Sequence, residues 1–339
     1  METLAETDLH PSSGTRPELR GRQRLSLAGL LRRLPPYRGL RQIKTHGMAY
    51  TLRRKRVESK ILRTRSIYTT PLDDPETVPC EVRILTYEAD YLMALWAAKS
   101  FYYYAGVEWP LVWQQGGPLS PRCVRLLHDH FPNSTFLPLA ETDALVEGAL
   151  HHMGLHATVA VRRTAVYLRK PIDFRILSRC PKALFLDTDV LFFRKPTDVL
   201  DAVHTGSQRN YFNRDANNGY PMAPDEAEKR FGVRPIERLN AGLGLVCRES
   251  IDLKEVDRYL QDPAMQGKFF TDQLVYALLG ATFATELLPD TYVLSGKPGL
   301  DVLGAPAVAR HYAGTTRPLM YREGIPRLIE QKFLRDLGP

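Results

Sequence analysis

The chain has 339 residues, enough to bury a substantial core in one large domain. Hydrophobic residues make up 44% and charged residues 25%, which excludes a disordered or membrane-embedded composition. The net charge of +8 is uneven: residues 16–65 carry 16 Lys and Arg against only Glu18 and Glu58, whereas residues 66–339 carry 30 bases and 33 acids, so a near-neutral body follows a basic segment.

Four cysteines (Cys80, Cys123, Cys180, Cys247) lie far apart with no C-x-x-C pair. This spacing argues against a zinc ribbon or a disulfide scaffold and suits a reducing compartment. No apolar stretch approaches the roughly 20 residues of a membrane helix. The first ten residues are acidic and polar, unlike a signal peptide. A cytoplasmic protein is expected, and Asn133-Ser134-Thr135 is read as a chance glycosylation triplet.

Residues 1–78 form the leader and linker, and 79–339 the expected domain. In the leader, Leu25, Leu27, Leu30, Leu31 and Leu34 sit at helical spacings among Arg24, Arg32 and Arg33, until Pro35-Pro36 breaks the pattern. Two readings stand open for residues 16–65: a basic amphipathic piece lying on the anionic inner face of a membrane, or a solvated, partly disordered leader. The isolated aromatics fit no nucleic-acid module, so no specific nucleic-acid binding is expected. Pro71, Asp73, Asp74 and Pro75 mark a turn-rich linker.

Beyond the linker, strands and helices alternate. Val82–Thr86 reads as a strand, and an apolar helix pattern runs through Leu92, Leu95, Trp96 and Phe101 to a stop at Gly106. Leu111–Trp113 is a second strand. Ser120-Pro121 looks like an N-cap and N1 pair, and Thr135–Leu137 is a third strand candidate. The alternation predicts an α/β body with a mainly parallel sheet. Phe101–Tyr104 is assigned mostly to core, and His151, His152 and His156 to helix faces rather than a metal site.

The strongest local signal is KALFLDTDVLFF, residues 182–193. Ala183–Leu186 suits a strand buried on both faces. Asp187 and Asp189 follow at its C-terminal end, where open parallel sheets place ligands. Residues i and i+2 of an extended chain point to one side, so the carboxylates converge. They repel unless a cation lies between them, and hard oxygen ligands suit Mn2+ or Mg2+.

Four segments in order, ILTYEADYLMALWAAKSF (84–101), Lys170 to Asp189, RLNAGLGLVC (238–247) with FFTDQLVYALL (269–279), and ARHYAGTTRPL (309–319), resemble retaining glycosyltransferase family 8, to which glycogenin and bacterial galactosyltransferases belong. The resemblance implies a GT-A fold, a Rossmann-like mainly parallel sheet flanked by helices. It also implies transfer of a sugar from a nucleotide-diphosphate donor, with UDP favoured, to a glycan, lipid-linked or small-molecule acceptor. On that match Thr86, Glu88, Asp90 and Tyr91 hold base and ribose, and Lys170 reaches the donor sugar or diphosphate, with Arg163, Arg169 and Arg175 as other bases in the stretch. Asn240 and Gly242 lie against the donor sugar, and Asp272 and Gln273 lie beside its reacting carbon. Asp187, Asp189 and His311 hold Mn2+ or Mg2+, and Gly314 and Arg317 grip the diphosphate.

Three alternatives remain at this stage. An inverting D-x-D transferase would use Asp272 as a general base. A haloacid-dehalogenase-type phosphatase also places D-x-D after an apolar strand, but expects it early in the domain and before Gly-Thr, whereas Val190-Leu191 follows here. A non-catalytic adaptor would carry a degenerate transferase body.

Overall fold

The computed structural model describes residues 47–72, 78–268, 270–294, 298–302 and 305–338. The leucine-arginine leader, and Asp73, Asp74 and Pro75 of the linker, lie outside the described residues. The chain divides into a unit Met1–Leu52 and a body Arg53–Pro339. Helix α1, Met48–Glu58, continues as a 3-10 turn, Ser59–Arg63.

Residues 58–67, expected in the leader, are bonded into the body. Trp96 Nε1 donates to the Glu58 carbonyl at 3.1 Å and Tyr321 Oη to Glu58 Oε1 at 2.6 Å. Ile61 is wholly buried, and the Arg65 and Ile67 amides donate to Leu337 and His130. The compact body thus includes residues from Arg53 onward. Charge composition marked the segment as a tail, but Ile61 and Glu58 tie it down.

Seven strands form the central sheet: β1 (Glu81–Thr86), β2 (Leu111–Gln115), β3 (Thr135–Leu137), β4 (Lys182–Leu186), β6 (Asn210–Arg214), β7 (Leu239–Cys247) and β8 (Thr285–Leu287). Their order is β3-β2-β1-β4-β7-β6-β8. β3, β2, β1 and β4 run parallel, whereas β7 is antiparallel to both β4 and β6. A smaller sheet, β5 (Val190–Phe192), β12 (Ala309–His311) and β9 (Tyr292–Val293), stands beside it, and β10 (Asp301–Val302) pairs with β11 (Ala305–Pro306).

The expected strands and caps form where placed. Helix α2 (Tyr91–Ala105) ends at Gly106, whose φ of +64 a side chain would strain. Helix α3 (Pro121–His130) opens on Ser120, whose Oγ accepts from the Cys123 amide at 3.2 Å. β4 is buried along its whole length, as its unbroken apolar run requires. Phe101 and Tyr102 are core, Tyr103 and Tyr104 are half-buried, and His151, His152 and His156 are exposed. All four cysteines are free and buried. Among the described residues no helix is long and apolar enough to cross a membrane.

Candidate functional site

Strand β4 ends at Leu186, and the chain turns through Asp187-Thr188-Asp189 into β5. The Val190 amide returns to the Asp187 carbonyl at 3.2 Å, closing that turn. Two neighbours fix what faces it. β12 runs antiparallel to β5 with His311 opposite Val190, and the Tyr312 amide donates to the Asp189 carbonyl at 2.8 Å. β7 lies along β4, and the Asp187 amide donates to the Gly242 carbonyl at 2.7 Å. Ligand atoms of Asp187, Asp189 and His311, the last more than 120 residues beyond the aspartates in sequence, thereby come within 4.8 Å of one another.

The imidazole is held in one orientation. His311 Nδ1 lies 2.9 Å from Asn240 Oδ1, while Asn240 Nδ2 donates to Gln273 Oε1 at 2.9 Å and to Asp215 Oδ2 at 3.0 Å. Two acceptors on the NH2 side leave Oδ1 as the acceptor for Nδ1–H and for the Gly242 amide at 3.0 Å. The neutral ring then presents the Nε2 lone pair to Asp189 Oδ1 at 3.1 Å and Asp187 Oδ2 at 3.8 Å. A lone pair facing two carboxylates needs a proton or a metal ion between them, and imidazole with carboxylate oxygens suits a divalent cation. Gly242 makes room for the ring: a Cβ there would stand 2.1 Å from His311 Cε1.

Protonation follows the same geometry. Burial works against the His311 imidazolium, but the charge and hydrogen bond of Asp189 raise its pKa above the ordinary value. Burial likewise penalises the Asp189 carboxylate, yet His311 and Arg317 bring it down to about 2. Arg317 reaches Asp189 Oδ2 through Nη2 at 2.6 Å and Nε at 3.0 Å. It follows the turn Gly314–Thr316, where Gly314 has φ +54.

Of the four bases between residues 163 and 175, only Lys170 reaches the aspartates. Its buried ammonium donates to Asp187 Oδ1 at 2.8 Å and to the Ala241 carbonyl at 3.2 Å. Arg163 pairs with Glu147, Arg169 with Asp143, and Arg175 bonds the Ile251 carbonyl and Glu249. Asp272 and Gln273 sit buried in the first turn of helix α4 (Thr271–Thr282). Burial pushes the Asp272 carboxyl up to about 6, with Lys170 pulling it down and Asp187 adding to the rise. Gln273 Nε2 donates to the Gly219 carbonyl at 2.9 Å, so both ends of its amide are fixed.

The residues expected to hold base and ribose divide. Asp90 Oδ1 accepts from the Tyr87 amide at 2.9 Å and Oδ2 from Thr188 Oγ1 at 3.4 Å, which joins it to the Asp187–Asp189 turn. Glu88 instead accepts from the Ser120 amide and hydroxyl at 2.7 and 2.9 Å, outside the aspartate cluster. Thr86 is wholly buried with its hydroxyl turned toward the Ile84 carbonyl, and Tyr91 is half-buried at the start of α2. Sequence reasoning missed Asp215, one residue past β6, which holds Asn240. No motif surrounds it, so only the pairing of β6 with β7 brings it there.

No protein-family model and no curated protein match the sequence. Among solved structures, the chain is similar to galactosyltransferase LgtC in complex with donor and acceptor sugar analogs: 17% identity, 76% of this chain, 96% of that one and a TM-score of 0.50. It also aligns with mouse xyloside xylosyltransferase 1 in its apo form, at 12% identity over 70% of this chain and 98% of that one, with a TM-score of 0.48. With its mainly parallel seven-stranded sheet and acidic pair at the end of β4, the chain has the GT-A fold.

Proposed function

We propose that this protein is a metal-dependent glycosyltransferase that moves a sugar from a nucleotide-diphosphate donor to an acceptor hydroxyl. The observation that carries the reading is the Asp187–Asp189–His311 cluster, with its imidazole turned lone pair inward by Asn240. Those three side chains would hold Mn2+ or Mg2+. Bound there, the ion supplies Lewis-acid neutralisation of the donor diphosphate.

The chain's own residues supply the rest. Arg317 is half-exposed, so its guanidinium can turn from Asp189 to the departing diphosphate, to which a planar donor binds in bidentate fashion. Lys170 offsets the clustered charge of Asp187 and Asp272 and keeps the turn in place. Asn240 and Gly242 line the sugar face, and Asp272 and Gln273 stand beside the anomeric carbon as it gains positive character. Asp90, Tyr91, Thr86 and Glu88 are assigned to the nucleoside end by the resemblance to family 8, and Gly314 would let the backbone approach the phosphates. Retention of configuration and a UDP donor rest on the resemblance to family 8.

The test is calorimetric titration of UDP and GDP into the protein, with and without Mn2+, beside Asp189→Asn. Mn2+-dependent binding of UDP, lost in the variant, is expected. Binding of GDP alone would change the donor; binding of neither by folded protein would overturn the proposal. An inverted anomer in the product would make Asp272 a general base.

A further inference from the structure

The body begins on a basic stripe that the transferase reading does not use. Arg53, Arg56, Lys60 and Arg63 recur at spacings of three, four and three residues along the end of α1 and the turn after it. Glu58, Ile61 and Thr64, on the opposite side, are buried. Lys55 flanks the stripe, and Arg53, Lys55, Arg56 and Arg63 are exposed. The single acid of the stretch, Glu58, is spent on Arg54 Nε at 2.8 Å and on the Tyr321 hydroxyl.

Several exposed arginines elsewhere in the body are paired with acids. Arg163 pairs with Glu147 at 2.6 Å, Arg209 with Glu286 at 2.8 Å, and Arg234 with Asp225 at 2.6 Å. Arg53, Lys55, Arg56, Lys60 and Arg63 form no salt bridge with any described residue. Lys60 and Arg63 also border a recess of about 290 Å3, with Thr64, Leu334 and Gly338, large enough to admit a phosphate headgroup.

We propose that this stripe docks the protein on an anionic lipid bilayer. A one-sided row of uncompensated cations complements a negative surface, to which basic residues bind additively. Residues 53–65 contain no aromatic side chain on which a nucleobase could stack, which disfavours a nucleic-acid partner. The sequence just upstream adds nine Lys and Arg between residues 16 and 44, together with the leucines between 25 and 34, a composition suited to the headgroup and acyl boundary. The proposal does not depend on transferase activity.

Co-sedimentation of the full-length protein with phosphatidylcholine vesicles, with and without phosphatidylserine, tests it. Binding is expected only to the phosphatidylserine vesicles, weakening at high salt as the Debye length shortens. Replacing Arg53, Lys55, Arg56, Lys60 and Arg63 together by Gln should weaken it more than tenfold, with an unchanged circular-dichroism spectrum. Should that variant fail to fold, the exposed pair Arg56→Glu and Arg63→Glu carries the same test. Equal binding to both vesicle types, unchanged binding by the variants, or displacement from vesicles by nucleic acid at equal phosphate concentration would each overturn the proposal.

Discussion

Asn240 Oδ1 lies 2.9 Å from His311 Nδ1, and the same amide is held from its other side by Gln273 and Asp215. One side chain therefore fixes both the tautomer and the tilt of an imidazole 71 residues away in sequence. Partners of this kind tune ligand basicity and metal affinity as strongly as some ligands do. Asn240→Ala should lower Mn2+ affinity by about 10- to 100-fold while the fold persists. Competition calorimetry with a chelator measures this; unchanged affinity would show that Asn240 does not orient the ligand.

Gly242→Ala tests the same cluster sterically. The added methyl would stand 2.1 Å from His311 Cε1, so the ring must leave its place or β7 must shift. Loss of Mn2+ binding is expected. Gly314→Ala meets no protein atom, so its φ of +54 should cost stability, about 1–2 kcal/mol, while Mn2+ binding to the aspartates and His311 persists. Mn2+ titration and thermal melts of both variants separate the two effects, and retained metal binding in Gly242→Ala would remove the steric argument.

Lys170 is buried between charges, donating to Asp187 and lying near Asp272. Removing one partner of a buried ion pair costs about 3–5 kcal/mol, because the remaining charge loses its compensation. Lys170→Met should therefore be strongly destabilised, and Mn2+ should restore part of the loss by placing a cation beside the same carboxylates. Urea unfolding with and without Mn2+ reads both effects. A variant as stable as wild type would show Asp187 and Asp272 to be relieved by another route.

Lys99 gives the body a pH signature remote from the aspartates. It donates to Thr64 Oγ1 at 2.9 Å, and burial, with the nearby charge of Arg65, lowers its pKa to about 7. His130, pushed down to about 4 by burial and by Lys99, stays neutral through this range. The unfolded lysine keeps its proton to about pH 10.4, so between pH 7 and 10 unfolding takes up a proton and stability rises with pH. Compared with Lys99→Met, wild type should gain up to about 1.4 kcal/mol per pH unit above pH 7, and nothing below it. Denaturation of both proteins from pH 6 to pH 9 checks the slope; a pH-independent difference would mean an ordinary lysine.

Much of this protein can be read along the chain, because the relevant physics is local. The apolar run Ala183–Leu186 and the following aspartates announce a buried strand ending in a charged turn. Ser120-Pro121 and Gly106 mark helix ends through bonds made within a few residues. What depends on partners distant in sequence was decided by the sheet. The antiparallel registers of β7 on β4 and β12 on β5 bring Asn240, Gly242 and His311 to Asp187 and Asp189. The same packing singles out Lys170 from three neighbouring arginines, sends Glu88 to the α3 cap and recruits Asp215. Charge composition alone made residues 58–67 look like a tail, whereas burial of Ile61 and the bond from Tyr321 to Glu58 make them part of the body. Hydrophobic periodicity fixes which face of an element is buried. Which side chains meet across the core is a matter of strand pairing, and residue spacing does not encode it.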